Sequence, residues 1–330
     1  MSSCCTSRAN TGSGYGRRPC SIATTTSRAP CASRPMRRPC CATWRASVGM
    51  TGGGATPSGG RLVVNADDFG LSSGVNDGIL EAHAAGVVSS VSVLVNAPGW
   101  EHAVAALRGT ESLGVGLHLN LTAGEPLSEG RTLVDAHTGR FHGLAGLVTR
   151  ALTGRIDPEH VAEECGAQLA RLRAAGVRVT HIDSHRHVHA LPGVWARVVA
   201  TARARGVPFV RVPVEDGAEG GAWVKRWTIR AAWRVAARGG ALPRHADRFC
   251  GIGLQGDVRF LTRLLALIDR LGPRPGVTEL MVHPGRPDRV LAAWDGYVAP
   301  RAAELAALTS SAVRERLGRG DVCLTHFGAV

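Results

Sequence analysis

Along the chain, the spacing of apolar residues changes character at residue 61. Residues 1–60 contain almost no aliphatic positions, whereas from Arg61 onward short apolar runs alternate with stretches of helical period. Leu62–Asn65 reads as a short buried strand, apolar and β-branched, running into Asp67-Asp68-Phe69-Gly70. Ser72 and Ser73 precede a helical stretch to Ala85 that Gly86 closes, a sensible cap at each end. Val87–Val95 is β-rich and ends in the turn signal Asn96-Ala97-Pro98-Gly99; Trp100–Arg108 is helical in pattern. Leu113–Leu121 predicts a strand with His118 near its end, followed by a polar insertion over 122–154. Asp157-Pro158-Glu159 opens a helix that runs to Ala175 and stops at Gly176. Arg178–Ile182 is the next strand, and it ends in Asp183-Ser184-His185-Arg186-His187-Val188-His189. A helix over Gly193–Arg205 and a strand over Pro208–Val212 repeat the unit, and a basic, Trp-containing insertion follows over 217–256. The chain closes with a helix over Asp257–Leu271, a strand over Thr278–Val282 ending in His283-Pro284-Gly285, a helix over Pro300–Leu317 and a strand over Val322–Thr325.

Strand alternating with helix over some 270 residues predicts a parallel α/β fold. A doubly wound sheet and a (β/α) barrel both satisfy the alternation. Polar, chemistry-capable residues recur after at least four strands: Asp67 and Asp68, His118, Asp183 and His185, and His283. Gathering groups from the C-terminal ends of many strands is what a barrel does, whereas a doubly wound sheet focuses its site at one crevice. The barrel is therefore expected, as one domain over residues 61–330. The first strand is followed by neither Gly-x-Gly-x-x-Gly nor a P-loop pattern, so nucleotide binding has no support.

Charge and cysteine change the picture only at the N-terminus. The net charge of +13 suggests a polyanion partner until it is located. Eight arginines and no acidic residue lie in residues 1–60, which leaves +5 for the remainder, an ordinary solvated surface; a nucleic-acid partner is not expected. Six of the nine cysteines also lie there, and Cys165, Cys250 and Cys323 are too far apart for a zinc pattern or a disulfide framework. They read as buried thiols of a reducing compartment, so a cytoplasmic location is expected. The leader, rich in Ser, Thr, Arg, Gly, Pro and Cys, holds too little apolar area to offset the entropy of ordering it. It lacks the apolar core of a secretory signal, and although it resembles an organelle transit peptide, the plainer expectation is a disordered segment with the true start at Met50. No run of about 20 apolar residues is present to span a membrane.

The chemistry concentrates after the fourth predicted strand. In an extended chain His185, His187 and His189 share a face, and in a helix His185 and His189 do; either presents imidazoles to one ion. One histidine is ordinarily a surface or core residue, but three within five residues directly after an apolar strand, with His181 and Asp183 just before, point to a metal. Two His and one Asp suit Zn²⁺ and other divalent first-row metals and leave positions open for water and substrate, as a catalytic site requires. A carboxylate that is not a ligand then takes a proton from the attacking water, and a histidine across the site protonates the departing nitrogen. Asp67 and His283 fit these two roles; Asp-Asp-Phe-Gly and His-Pro-Gly taken singly would be no more than turns.

The segments Val-Val-Asn-Ala-Asp-Asp-Phe-Gly-Leu-Ser, Gly-Leu-His118-Leu-Asn, Thr-His-Ile-Asp-Ser-His185-Arg-His-Val-His and Met-Val-His283-Pro-Gly, together with Leu324-Thr-His-Phe, resemble the YdjC-like carbohydrate deacetylases over about residues 61–328. That family includes chitooligosaccharide deacetylases and proteins linked to hopanoid glycolipid maturation. The resemblance implies a distorted (β/α) TIM-like barrel of the glycoside hydrolase/deacetylase type. The implied reaction is metal-dependent hydrolysis of an N-acetyl group from an amino sugar, either a chitooligosaccharide or an N-acetylglucosaminyl conjugate. It implies Asp68, His118 and His185 as metal ligands, Asp67 as general base, His283 as general acid, and contacts to substrate from His187, His189 and Asn120. Mg or Zn is the expected ion, with Mn or Co as alternatives, and the resemblance admits a homodimer. Arg186 stands where many relatives carry a second histidine. The competing readings are a hydrolase or isomerase of another sugar derivative on the same barrel, and a non-catalytic carbohydrate-binding relative. Deleting residues 1–49 is expected to leave both the thermal midpoint and the activity unchanged; a lower midpoint in a melting comparison with the full chain would show that the leader packs.

Overall fold

The structure, a computed structural model, describes residues 60–330 except 109, 111, 216–221, 239, 272 and 273. The leader expected to be disordered thus lies outside the described residues but for Gly60. Eight parallel strands are present among the described residues: β1 (Gly60–Phe69), β2 (Ser90–Val93), β3 (Gly114–Leu119), β4 (Val179–Ser184), β5 (Phe209–Val210), β6 (Arg248–Cys250), β7 (Val277–Val282) and β8 (Val322–Thr325). Their order is β5-β4-β3-β2-β1-β7-β6, with β8 paired to β1. Parallel bridges between Phe209 and Arg244 and between Glu215 and Phe249 carry the free edge of β5 towards β6. The sheet curls into a half-barrel with helices outside it, as the alternation and the recurrence of polar strand ends predict.

β1 is the hub. Arg61–Ala66 pairs with Val277–Val282 of β7, while β8 contacts the start of β1 and β2 its end. Since Arg61 pairs with both Val277 and Cys323, and Asn65 with both Met281 and Ser90, β8 and β2 occupy one edge in succession. β2, β3, β4 and β7 are buried throughout, as strands covered on both faces must be. Polar or small residues nonetheless alternate with apolar ones along them, as in Ser-Val-Ser-Val of β2 and Val-Thr-His-Ile-Asp-Ser of β4, so the face turned into the curl carries buried polar groups.

The helices are α1 (Ser73–Ala84), α2 (Trp100–Leu107), α3 (Gly143–Leu152), α4 (Pro158–Ala174), α5 (Trp195–Ala204), α6 (Trp223–Ala236), α7 (Phe260–Leu271), α8 (Arg289–Trp294), α9 (Ala299–Leu308) and α10 (Ser311–Leu317). The predicted caps operate: the Ser72 side chain accepts from Val75 N–H and Asp157 from Glu159 N–H, with Pro158 in the first turn. Three expectations are corrected. The helix expected over 300–317 is two, broken where Ser310 caps α10 through Val313 N–H. The insertion at 122–154 carries α3, and the one at 217–256 carries not only α6 but also β6, three residues too short to show a period.

Gly116 permits one close approach inside the curl. A Cβ on Gly116 would lie 2.3 Å from His181 Nε2, so the buried His181 ring, which contacts Ser92 Oγ at 3.1 Å, occupies the space a side chain would need. Gly116→Ala is expected to destabilise by about 1–3 kcal/mol, the usual cost of overpacking. Urea unfolding measures this, and a wild-type midpoint would mean the ring moves aside freely.

Candidate active site and metal centre

β1 does not end as a regular strand. Its pairing with β2 slips between Ala66 and Phe69, and Asp68 adopts a left-handed backbone with φ of 70°. The turn beyond is fixed by Leu71 N–H donating to Asp68 O (3.0 Å) and Gly70 N–H to Asn76 Oδ1 (2.6 Å). An aspartate tolerates this region better than a branched residue does, at a modest cost. The consequence is that the two neighbouring carboxylates face different groups, as the sequence led one to expect.

Asp68 joins two histidines from other strands. Its Oδ1 lies 2.8 Å from His185 Nδ1 and 3.2 Å from His118 Nε2. The opposite nitrogen of His118, Nδ1, is 2.7 Å from Asp183 Oδ1, which fixes the ring so that Nε2 faces Asp68. A carboxylate behind a histidine in this way is the arrangement found at metal sites. One ligand atom from each of Asp68, His118 and His185 lies within 4.8 Å of the others, all three buried. His185 Nε2 is a buried nitrogen without a hydrogen-bond partner among the described residues. A mixed N/O donor set, an oriented imidazole and an orphaned ring nitrogen together fit a divalent cation.

Asp67, His118 and Asp183 form a second grouping of the same size. A cation already serves its carboxylates. Arg211 donates from Nη1 to Asp67 Oδ2 and from Nη2 to Asp67 Oδ1, both at 2.7 Å, lies 2.6 Å from Asp183 Oδ2, and donates from Nε to Glu279 Oε1 at 2.7 Å. The Asp68 grouping is therefore the stronger candidate centre.

The electrostatics agree. Burial alone would lower the pKa of His118, but the carboxylates of Asp183 and Asp67 outweigh it and push the ring up to about 10. Burial likewise opposes the charge on Asp68, yet Arg301 and His185 beside it hold its carboxyl well below the usual range. Without an ion, the surrounding carboxylates thus favour the protonated His118 ring.

His185 opens a short 3-10 segment, His185–Ala190, in which Arg186 and His187 have left-handed φ of 60° and 57°. It is neither extended nor regularly helical, so the three histidines do not share a face. His185 turns to Asp68. His187 lines the cavity and meets Phe249 edge-on at 5.9 Å, and burial holds it well below its usual pKa. His189 is placed elsewhere: it is fully buried, with Nδ1 2.6 Å from Ser184 Oγ and Nε2 3.0 Å from Arg211 O, and it does not line the cavity. It clamps the turn to the chain after β5. Asn120 likewise lies off the lining. Its Oδ1 accepts from Thr122 N–H and Ala123 N–H, and its Nδ2 donates to Ala123 O and Asn96 Oδ1. With its polar atoms spent on the loop, Asn120 staples a turn, as asparagines often do.

The cavity above the cluster measures about 780 Å³, and Asp67, Asp68, His118, His185 and His283 all line it. His283 is fixed through its backbone N–H, which donates to Glu304 Oε2 (2.6 Å), and its ring lies 5.5 Å from that of Tyr297. Burial lowers its pKa to about 4 despite Asp67 and Asp68 nearby, so at neutral pH the resting ring carries no charge. Apolar walls come from the two insertions: Leu144, Val148 and Leu152 recur every fourth residue on α3, and Trp227, Ala231 and Val235 do so on α6. Sequence reasoning missed Arg211, Arg301 and Tyr297 and gave Glu304, part of the stretch Glu304-Leu-Ala-Ala-Leu-Thr-Ser that shares in the family resemblance, no role. The signal for Arg211 was present, an arginine between Val210 and Val212 in an apolar run, where a charge is rarely found unless paired.

The curled parallel sheet, with carboxylates and histidines from its strand ends lining one cavity, defines an α/β barrel-like protein. The model of the YdjC-like protein family matches residues 61–319, and the chain belongs to that family. A carbohydrate deacetylase of Brevibacillus brevis is 35% identical, the match covering 81% of this chain and 98% of the relative. The chitooligosaccharide deacetylase of Serratia marcescens is also 35% identical, over 81% of this chain and 97% of its own. Among solved structures, an Enterococcus faecalis protein provisionally described as one of cellobiose-phosphate cleavage is 27% identical and superimposes with a TM-score of 0.65, covering 82% of this chain and 98% of that one.

Since the proton on His118 and an ion compete for one site, metal uptake at neutral pH is expected to release about one proton, and affinity to rise about tenfold per pH unit below the pKa of His118. Titration calorimetry in buffers of different ionisation enthalpy reads the proton directly. Ion binding without proton release would remove His118 from the ligand set.

Proposed function

We propose that this protein hydrolyses the N-acetyl group of an amino sugar, releasing acetate, with one divalent ion held by Asp68, His118 and His185. Supporting this is the convergence of those three side chains at the floor of the cavity, with Asp67 and His283 on the same lining. The relatives named as carbohydrate and chitooligosaccharide deacetylases support the reaction class, hydrolysis of a linear amide bond. The donor set suits Mg, Zn, Mn or Co. The free cysteines Cys165, Cys250 and Cys323 accord with a cytoplasmic location.

When bound, the ion supplies Lewis-acid polarisation of the acyl oxygen and a water of lowered pKa. The remaining work falls to the chain. Asp67 removes the proton from the attacking water as that oxygen bonds to the acyl carbon. Arg211, forked across both Asp67 oxygens, holds this carboxylate in one orientation. The C–N bond then breaks, the amine nitrogen takes a proton from His283, and acetate departs. Because His283 is neutral at rest, its proton must be one gained during the reaction, passed on from the water by way of Asp67. The neutral ring also supports a second reading, in which His283 itself takes the water's proton and returns it to nitrogen while Asp67 only positions the water.

The walls bear on the substrate. Trp227 and Leu152 are 67% and 68% exposed, unusual for residues of that size, and both face the cavity. Such surface favours an N-acetylglucosaminyl conjugate with an apolar portion over the free monosaccharide.

The test is acetate release from N-acetylglucosamine, chitobiose and an N-acetylglucosaminyl glycolipid by the metal-loaded protein, with an EDTA control. Release abolished by EDTA and by Asp68→Ala is expected. Asp67→Asn should keep its ion and lose about 10²–10⁴ in turnover, the usual contribution of a general base. Near-normal turnover in Asp67→Asn would transfer that role to His283. No release from any substrate, with metal bound, would leave a different sugar derivative or a binding function.

A further inference from the structure

Arg301 has a place in the site that its position on α9 does not announce. It is the largest side chain buried completely among the described residues, at 0% exposure, and it lines the cavity beside the candidate ligands. A guanidinium carries five N–H donors in a rigid fork. Nε donates to Tyr297 O at 2.8 Å, and Nη2 donates to Asp68 Oδ2 at 2.5 Å and to Asp295 Oδ2 at 3.0 Å. Nη1 has no partner among the described residues. The fork cannot swing to find one. Its aliphatic stem packs on Gly285, where a Cβ would come 3.4 Å from Arg301 Cδ, and its own carbonyl accepts from Gly285 N–H at 3.3 Å.

An unmet donor on a buried cation is costly, and here the side chain that carries it borders the cavity. Nη1 belongs to the same planar group whose other end grips Asp68 Oδ2, and the rigidity of that plane holds it close to the ligand cluster. Two further observations fit. The charge of Arg301 opposes the negative charge that gathers on an acyl oxygen during hydrolysis. And by taking Oδ2 of Asp68, Arg301 leaves Oδ1 as the oxygen that faces His118 and His185.

We propose that Arg301 is a catalytic residue: its Nη1 binds the acyl oxygen of the substrate and, after cleavage, a carboxylate oxygen of the acetate product. The proposal rests on the deacetylase reading above.

The experiment uses the full-length protein and two variants, Arg301→Lys and Arg301→Met. Lysine keeps a charge for Asp68 but offers one ammonium, which cannot occupy the places of Nη2 and Nη1 together. Three quantities are measured: ion uptake by calorimetry, acetate affinity of the metal-loaded protein by the same method, and kcat and KM on the best substrate. For Arg301→Lys, ion uptake should remain stoichiometric, acetate affinity should fall about tenfold or more, and kcat should fall about 10²–10³-fold, as when one oxyanion donor is removed. Arg301→Met should lose at least as much in acetate affinity and kcat. Undiminished acetate affinity and kcat in Arg301→Lys would overturn the proposal. So would losses that track loss of the ion, which would reduce Arg301 to a support for Asp68. A raised KM with acetate affinity unchanged would place Nη1 on the sugar instead and also overturn it. The ion and acetate titrations need no turnover, so failure of the deacetylase reading would appear separately, as absence of acetate release by the wild type.

Discussion

Arg211 carries a positive charge into the interior of the curled sheet, where Asp67, Asp183 and Glu279 all reach it. Each of these groups is buried, so each would be expensive alone, and removing any one leaves the others uncompensated. The arrangement also sets geometry. Asp183 is divided, one oxygen on Arg211 and the other on His118, so the imidazole orientation at the candidate centre depends on a guanidinium that never touches an ion. Asp67 has both oxygens on the same fork. Arg211 is itself pinned: its N–H donates to Ile182 O and its carbonyl lies 3.0 Å from His189 Nε2. Three carboxylates around one cation leave negative charge over, and burial answers it by pushing Glu279 up to about 7 while His118 holds its proton.

The fold was legible where local chemistry and tertiary demand coincide. Ser72, Asp157 and the glycines Gly86 and Gly176 mark helix ends through interactions a few residues apart, and the strands stand out as short β-branched stretches between them. β6 was not legible, because three residues carry no period and its partners are remote. In the site, the residues brought together were those at strand ends, Asp67, Asp68, His118, His185 and His283. Their placement follows from the barrel. His189 and Asn120 misled because sequence adjacency to a motif says nothing about which way a left-handed turn or an Asx loop points. Arg301 and Tyr297 were invisible for the opposite reason: α9 and the turn before it meet the site only through tertiary packing, and a helix carrying Arg and Glu three apart reads as a solvated face.

Floor and walls of the cavity are built differently. The floor stands on strand ends tied by buried hydrogen bonds. The walls stand on α3 and α6, helices within the two long connections, where insertions and substitutions leave the sheet untouched. On the proposed function, reaction chemistry and substrate preference would be carried by separable parts of the chain.

The hub position of β1 bears on biosynthesis. The first strand of the domain to leave a ribosome is bordered along one edge by β7, beginning at Arg61 with Val277, and at its start by β8, where Gly60 meets Val322. These partners are the last to be synthesised. Until they emerge, β1 keeps an unpaired, strongly apolar edge, a template for wrong pairing with another nascent chain. Closure over so long a loop is also slow. Productive folding of this domain thus waits for β7 and β8, and loss of β8 would harm β1, far from it in sequence, first.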